Sequence, residues 1–208
     1  MARMITVGHP QKDLSAPLVG QSRKALRQAA QNLQRLEPLA DTLARVAEAV
    51  AQALTTGHKL LLFGNGGSAA QAQHIAAEFV GRFQSERDPL PAVALTTDTS
   101  ALTAIGNDYG FEEIFARQLR ALAHPGDVAL GISTSGRSPN VLRALEQAGQ
   151  LQLVRVALTG PNVSPAGRAA DLCLRAPGRS TARIQEAHLV LLHTLCELVE
   201  HRLARGRK

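Results

Sequence analysis

A histidine and a glutamate lie four residues apart at His74 and Glu78, in a stretch whose apolar residues recur at helical spacing. Residues four apart share one face of a helix. The two side chains could therefore ligate a metal together, or work as a paired acid and base. A coincidence on the surface or in the core of a helix is the alternative interpretation of this short motif.

Gln185 and His193 are two further candidate ligands, and they lie near the carboxyl end of the chain. If both are helical, they stand about 12 Å apart along the axis, too far for one metal with bonds of about 2 Å. Either Gln185 lies at or before the helix start and reaches inward, or the two residues serve different copies of the site across a subunit interface. His188 falls in the apolar stripe between them, so we interpret it as a packing residue.

Two loops carry glycines and hydroxyls that suit an anion. In "GNGGS", residues 64–68, the glycines allow close approach of the backbone, and Ser68 can cap the helix that follows. In "STSGRS", residues 133–138, hydroxyls precede a helix N-terminus, which favours negative charge. This second loop holds no acidic residue and no Walker lysine, so it indicates a phosphate ester and not a nucleoside triphosphate. A tight turn for the first loop and a set of caps for the second are the alternatives.

The hydrophobic pattern predicts the sheet that would position these loops. Short apolar runs predict five strands, at 59–64, 91–96, 127–133, 153–160 and 170–177. Helical patterns at 67–83, 99–122 and 138–148 lie between most of them, which is typical of a parallel sheet covered on both faces. Ligands of such sheets bind at the carboxyl ends of the strands, where both loops fall.

Helical segments are predicted on either side of the sheet. Residues 17–56 show helical spacing, with a split or kink expected at Pro38, and residues 182–204 form a long terminal helix. Residues 1–16 have no periodicity and are expected to be a flexible N-terminal arm. The sequence thus predicts one α/β domain over residues 17–208, a size that suits a single core.

The composition argues against several classes of function. The net charge is +6, but the arginines are scattered, and aromatic residues make up 3% of the chain, which argues against a nucleic-acid binder. No apolar run approaches the roughly 20 residues of a membrane span, and no signal peptide is evident. Cys173 and Cys196 form no metal or disulfide motif, so we expect a cytoplasmic protein in a reducing compartment.

Four stretches together resemble one family, the sedoheptulose 7-phosphate isomerases, a branch of the sugar isomerase (SIS) fold. They are "GNGGSAAQAQHIAAEFVGRF", "GNDYGFEEIFARQL", "GDVALGISTSGRSPNVLRAL" and "RIQEAHLVLLHTLCELVE". They occur in the family's order and at its spacing, and the resemblance covers residues 20–204. It implies a single SIS domain with a five-stranded, flavodoxin-like, doubly wound parallel sheet. It also implies a cytoplasmic homotetramer with sites at subunit interfaces.

The reaction implied by the resemblance converts D-sedoheptulose 7-phosphate to D-glycero-D-manno-heptose 7-phosphate through an enediol, the first step of bacterial heptose biosynthesis. The family's proton-transfer groups correspond to Glu78 and His193, and its zinc, one per subunit, to a site formed by His74, Glu78, Gln185 and His193. The substrate-binding residues implied are Asn65, Gly66, Gly67, Ser68, Glu78, Arg82, Asn107, Asp108, Ser133, Thr134, Ser135, Ser138 and Gln185. One departure is Ala182, where some members carry an acidic residue.

Two other functions are compatible with parts of the pattern. A noncatalytic relative that binds the bacterial replication initiator also resembles this chain, in "SAAQAQH", "LTAI", "GDV" and "ARIQE". That relative lacks the acidic residue four after the histidine and has Arg for the second Ser of "STS", whereas this chain has Glu78 and Ser135. A domain that only senses a phosphosugar would need no Glu78, and no helix-turn-helix is evident in the first 58 residues. The pattern therefore favours the isomerase.

Overall fold

Five parallel strands form the central sheet of the protein, whose residues 16–205 are described by a computed structural model. The strands are β1 (Leu60–Gly64), β2 (Ala92–Ala94), β3 (Val128–Ser133), β4 (Val154–Thr159) and β5 (Leu172–Arg175). Their order in the sheet is β2-β1-β3-β4-β5, and every neighbouring pair is parallel. This is the flavodoxin-like order, with the switch in direction between β1 and β3. All five predicted strands are confirmed, each shorter than its apolar run.

Helices cover both faces of this sheet. They are α1 (Ala16–Leu33), α2 (Ala40–Thr55), α3 (Gly67–Val80), α4 (Thr99–Tyr109), α5 (Ala116–Leu122), α6 (Pro139–Gln150), α7 (Pro165–Ala169) and α8 (Thr181–Arg205). Short 3₁₀ turns occupy Gln34–Leu39 and Phe111–Glu113. The long first and last helices agree with the prediction, and α7 is an addition to it.

Successive strand residues enter two different cores. Leu60 and Leu62 of β1 pack into the core beneath α2, α3 and α8, while Leu61 and Phe63 pack into the core beneath α5 and α6. Side chains along a strand alternate between the two faces of a sheet. Because both faces of β1 and β3 are covered, these strands are apolar at nearly every position.

Two breaks in the helices have local causes. Pro38 lies in the 3₁₀ turn between α1 and α2, which confirms the predicted split. The single helix predicted over 99–122 is wrong, because Gly110 adopts a φ of 92° and ends α4. A positive φ of this kind cannot continue a right-handed helix.

The amino ends of the central strands are tied together on the side of the sheet away from the loops of interest. Asp127 is fully buried, and its carboxylate accepts hydrogen bonds from the backbone amides of Lys59 at 2.9 Å and His124 at 2.8 Å. The ammonium of Lys59 lies 2.7 Å from the same carboxylate. Burial by itself raises the pKa of Asp127, but the hydrogen bonds and charge of Lys59, with the His124 amide, outweigh it and lower the pKa overall.

The predicted N-terminal arm falls outside the described residues, except that Ala16 is the first residue of α1. Among residues 16–205, no helix combines the length and the apolar character needed to cross a membrane.

Candidate active site

Helices α3 and α8 lie side by side and bring three of the predicted site residues together. The Nε2 atoms of His74 on α3 and His193 on α8 are 2.8 Å apart, and their rings meet edge to face. The carboxylate of Glu78 lies 3.6 Å from the same nitrogen of His74. The side chain of His74 is 45% exposed and that of Glu78 is 24% exposed, so a ligand can reach both.

Two contacts join the beginning of α3 to α8. The carboxamide of Gln185 lies against Gly67, where a Cβ would force that side chain to move. One turn further along, Gln71 donates a 2.7 Å hydrogen bond to the backbone carbonyl of Gln185. These contacts fix the register in which His74 faces His193.

Within one chain, Gln185 lies apart from the imidazole pair, which is formed by His74 and His193. It is the fifth residue of α8, so the first of the two sequence-based solutions, a position at or before the helix start, does not apply. Its side chain lies against Gly67 at the beginning of α3, about 12 Å along the α8 axis from His193. The structure thus joins His74, Glu78 and His193 and places Gln185 next to the glycine loop.

The residues at the α3–α8 contact match zinc in the type of their donor atoms. Two imidazole nitrogens and a carboxylate are ligands that zinc prefers. The 2.8 Å between the two Nε2 atoms is a hydrogen-bond distance, whereas two zinc bonds of about 2.0–2.1 Å at a tetrahedral angle hold nitrogens about 3.3 Å apart. Within residues 16–205, no group of three or more His, Cys, Asp or Glu has metal-binding geometry. A small rotation of the His74 side chain, which is 45% exposed, would open the pair for a metal.

Three serine hydroxyls converge in the loop after β3, as the sequence predicts. The Oγ of Ser133 lies 3.0 Å from that of Ser138 and 3.5 Å from that of Ser135. Ser138 precedes α6 as its N-cap residue but makes no side-chain capping bond, so its hydroxyl is not committed to the helix. Thr134 is half-buried in the same loop, and its carbonyl accepts a bond from the Gly160 amide at 3.1 Å.

An amide pair that sequence reasoning missed joins the two predicted loops. Asn65, after β1, and Asn140, in the first turn of α6, donate to each other through their carboxamides at 2.8 Å in both directions. Asn140 is 2% exposed. The pair borders an open cleft of about 480 Å³ with Ser138 and Phe111 among its walls. A buried amide just after "STSGRSP" is the signal that could have identified Asn140.

The remaining predicted residues occupy different surroundings. Gly66, with a φ of 55°, makes the turn into α3, and Ser68 is 3% exposed beneath that turn. Arg82 is largely exposed and faces Glu86 at 3.6 Å. Asn107 and Asp108 lie on α4 and hydrogen-bond to each other at 2.8 Å. In the described part of the chain, no hydrogen bond or ion pair links Arg82, Asn107 or Asp108 to the serine loop or the imidazole pair.

Two residues outside the predicted site make contacts near it. The ring of Phe83 stacks on His193, with 5.6 Å between ring centroids and 29° between planes. His188 is fully buried, as the apolar stripe predicts, and its Nε2 donates to the carbonyl of Thr159 at 3.0 Å. Burial lowers the pKa of His188 to about 4, so its imidazole is neutral at pH 7.

The serine loop and the imidazole pair of one chain are separated along α3. The serine loop lies at the carboxyl ends of the strands, beside the turn that begins α3 at Gly67. His74 is seven residues further along that helix, about 10 Å from its start, and Glu78 is about 16 Å from it. One chain therefore presents the hydroxyls beside the start of α3, and His74 and Glu78 about two and three turns further along it.

Comparison with known proteins gives the family. Residues 26–160 match the model of the SIS domain. The phosphoheptose isomerase of Aquifex aeolicus (strain VF5) is 56% identical over 179 residues, which cover 86% of this chain and 94% of that protein. This similarity confirms the family that the sequence indicates.

Two solved structures share the fold at high coverage. Phosphoheptose isomerase GmhA from Neisseria gonorrhoeae superimposes with a TM-score of 0.84 at 43% identity, over 88% of this chain and 99% of that one. A phosphoheptose isomerase from Francisella tularensis does so with a TM-score of 0.82 at 35% identity, over 88% and 98%. The predicted SIS architecture is confirmed, and the chain belongs to the phosphoheptose isomerases of the SIS domain family.

Proposed function

We propose that this protein is a phosphoheptose isomerase that converts D-sedoheptulose 7-phosphate to D-glycero-D-manno-heptose 7-phosphate. The observation that carries this proposal is the group of His74, Glu78 and His193 on adjacent helices, in a chain 56% identical to a phosphoheptose isomerase. The relatives compared above give no support to the initiator-binding alternative.

The reaction requires two proton transfers at neighbouring carbons. A base removes a proton from C1 of the ketose while the C2 carbonyl oxygen gains one, which gives the 1,2-enediol. The C1 hydroxyl then loses its proton as C1 becomes a carbonyl carbon, and a proton is delivered to C2. A positioned carboxylate suits the carbon-bound proton, and an imidazole suits the oxygen-bound one.

We assign the carbon-bound proton to Glu78 and the oxygen-bound proton to His193. Glu78 has a partly exposed carboxylate beside His74, within reach of a ligand. His193 presents Nε2 to the same space. In the metal-free site an N–H there can donate to the developing oxyanion, whereas this nitrogen would be a ligand when zinc is bound. His74 completes the pair, since one of the two facing nitrogens donates and the other accepts.

The phosphate would be held by the loop after β3. Ser133, Ser135 and Ser138 offer clustered hydroxyls, and the loop precedes the N-terminus of α6, whose dipole favours an anion. Asn65 and Gly66 line the adjacent clefts, and Gly67 and Ser68 follow them in the turn into α3. Arg82, Asn107 and Asp108 remain part of the proposed substrate set on the resemblance alone.

A zinc ion is part of the proposal, held by His74, Glu78 and His193 with the amide oxygen of Gln185. When bound, it would act as a Lewis acid that polarises the substrate's carbonyl and hydroxyl oxygens. The donor types of the residues at the α3–α8 contact support this assignment. The distance from Gln185 to His193 along α8 suits ligands contributed by neighbouring copies.

We also propose a homotetramer with active sites at its subunit interfaces. The separation of the serine loop from Glu78 along α3 supports this, because a second copy can bring the missing half of the site. Exposed apolar residues on α1, Leu18 at 55% and Leu26 at 71%, offer surface for such contacts. A cytoplasmic location fits the same proposal, since Cys173 and Cys196 are free thiols.

A direct assay tests the function. Purified protein is incubated with D-sedoheptulose 7-phosphate, and the aldose product is followed by NMR, with chelator and with zinc added back. We expect conversion to the seven-carbon aldose phosphate, reduced by the chelator and restored by zinc. Absence of product from folded protein with zinc present would contradict the isomerase assignment, and conversion unaffected by chelation would contradict the metal assignment alone.

A further inference from the structure

The loop between α3 and β2, residues 81–91, is fastened to α8 by a buried ion pair. The Nε of Arg87 lies 2.9 Å from Oε1 of Glu200, and the two side chains are 7% and 6% exposed. Glu200 lies on α8, two turns beyond His193. An ion pair this deeply buried contributes little net stability by itself, because desolvation offsets the attraction. Its geometry is therefore the more informative feature.

The carboxylate of Glu200 organises the backbone of the loop. It accepts hydrogen bonds from three successive amides, those of Phe83 at 3.0 Å, Gln84 at 3.1 Å and Ser85 at 3.0 Å. Burial alone raises the pKa of Glu200, but these amides and Arg87 together lower it, so the group is an anion at neutral pH. Both carboxylate oxygens are committed to the loop.

The guanidinium of Arg87 secures the other side of the loop to α3. It donates to the carbonyls of Glu78 and Phe79, each at 2.8 Å. These carbonyls belong to the last turn of α3, where the helix dipole favours a cation. Arg87 thus connects the end of the helix that carries Glu78 to the helix that carries His193.

The loop backbone that Glu200 holds includes Phe83, and the Phe83 ring contacts the imidazole of His193. The Phe83 amide is bound to Glu200, and the Phe83 ring stacks on His193 at 5.6 Å between centroids. The His193 ring also meets the His74 ring edge to face, with 5.1 Å between centroids. The imidazole is therefore bracketed by an aromatic face and by its histidine partner, and rotation of the ring would break both contacts.

We propose that Phe83 and the Arg87–Glu200 pair are positioning residues that hold the imidazole of His193 in its reactive orientation. The inference rests on the proposed isomerase function. None of the three residues touches the substrate in this scheme, since they act through the ring of His193. Loss of the bracket would leave the imidazole free to rotate, so proton transfer would slow while binding through the serine loop stayed intact.

Four variants test this. Phe83→Leu removes the ring but keeps an apolar side chain, Phe83→Tyr restores the ring, and Glu200→Gln removes the charge that gathers the amides. Glu48→Gln is the matched control. Glu48 lies on α2 and forms an exposed ion pair, at 2.8 Å, with Arg202, which lies on α8 as Glu200 does. We expect kcat per folded molecule to fall tenfold or more in Phe83→Leu and severalfold in Glu200→Gln. KM should stay within about twofold, and Phe83→Tyr and Glu48→Gln should match the parent protein.

A second readout needs no turnover. In protein labelled with ring-¹³C histidine, at one fixed pH, the His193 resonance should shift when the ring current of Phe83 is removed, and return in Phe83→Tyr. The His193→Gln variant assigns the signal. Hydrogen exchange at the Phe83 amide should accelerate in Glu200→Gln and stay unchanged in Glu48→Gln.

The outcomes separate the inference from the function on which it rests. If the parent protein fails to isomerise the substrate, the proposed function is wrong, while the resonance and exchange data still decide whether the loop holds the ring. If Phe83→Leu keeps full kcat in an active enzyme, the inference alone is overturned. A fall in activity that disappears when rates are expressed per folded molecule also overturns it, because the role of Phe83 is then only structural. Failure of Glu200→Gln to fold leaves the decision to the two Phe83 variants.

Discussion

The two facing nitrogens of His74 and His193 restrict what each ring can do. At 2.8 Å, one Nε2 must carry a hydrogen and the other must present a lone pair. The pair therefore offers a donor and an acceptor in one place, and exchange of tautomers reverses the two roles. Glu78, at 3.6 Å from His74, adds a carboxylate to the same space. Interconversion of a ketose and an aldose needs this combination, since protons must leave and return at both carbon and oxygen.

Substitution of the carboxylate tests the division of labour. Glu78→Gln keeps the size of the side chain and removes the base, so kcat should fall by about a thousandfold or more. The far-UV spectrum and unfolding midpoint should stay close to those of the parent protein, because Glu78 is only partly buried. Glu86→Gln, at a side chain 91% exposed in the next loop, is the matched control and should keep full activity. Full turnover by Glu78→Gln would refute the role of Glu78.

The serine loop should control binding and leave the chemical step unchanged. Ser138→Ala removes a hydroxyl that caps no helix and lies 3.0 Å from Ser133. Loss of one charge-assisted hydrogen bond to phosphate should raise KM about tenfold or more, with kcat nearly unchanged. Steady-state kinetics check this, with Ser85→Ala as a control, because among residues 16–205 only the backbone amide of Ser85 makes a hydrogen bond, to Glu200. An unchanged KM would move the phosphate to another part of the cleft.

At the level of elements, patterns local in sequence predicted most of the architecture. Consecutive apolar residues predicted all five strands, and the runs are most complete in β1 and β3, which are covered on both faces. Helical spacing gave α3, α6 and α8 to within a few residues. The pattern over 99–122 failed at Gly110, since apolar spacing continues across the glycine while its backbone turns away.

The contacts that complete the site were beyond sequence reasoning because their partners are far apart in the chain. Asn65 and Asn140 are separated by 75 positions, and Arg87 and Glu200 by 113. No local pattern pairs such residues. The stacking of Phe83 on His193 follows from the path of the loop after α3, which only the fold determines.

The ion pair of Asp127 and Lys59, at the amino ends of β3 and β1, leads to a prediction about stability. Asp127→Asn should lower the free energy of unfolding by about 2–4 kcal/mol, because the partly exposed Lys59 ammonium would lose its counterion and two amides would lose a buried, charged acceptor. Urea unfolding measures this. Asp171→Asn is the matched control. Asp171 plays the same part for Arg155 of β4 but is 44% exposed, so its loss should cost about 1 kcal/mol or less. Equal costs would show that burial does not decide the effect.

At the scale of the whole molecule, two helices carry surface that one chain leaves uncovered. Helix α4 contains no buried residue, and α1 exposes Leu18 and Leu26. Light scattering coupled to gel filtration should give a mass four times the 22.1 kDa of one chain. Leu26→Glu, on the exposed face of α1, should shift the mass downward, and Gly20→Ala, where an added Cβ meets nothing within 4 Å, should not. A monomer that is fully active would contradict the shared-site proposal.

The pH dependence of stability should show the buried imidazole of His188. Its pKa is about 4 in the folded state and 6.5 as an ordinary value, so the unfolded chain binds more protons between these limits. The free energy of unfolding should therefore fall as pH is lowered through this window, by about 2 kcal/mol between pH 7 and pH 5 from this group. Urea unfolding of His188→Gln at both pH values should lack that component. The same slope in the variant would assign the effect to other groups.

The side chains proposed to transfer protons and those proposed to bind the substrate lie on different kinds of backbone. His74, Glu78 and His193 project from two helices, whereas Ser135, Ser138 and Asn65 lie on loops at the strand ends. Loops accept insertions and substitutions that helices packed in a core do not. Descendants of such a protein can acquire new sugars by altering the loops while they inherit the same proton transfer, so mutational drift should diversify substrates sooner than it changes the reaction.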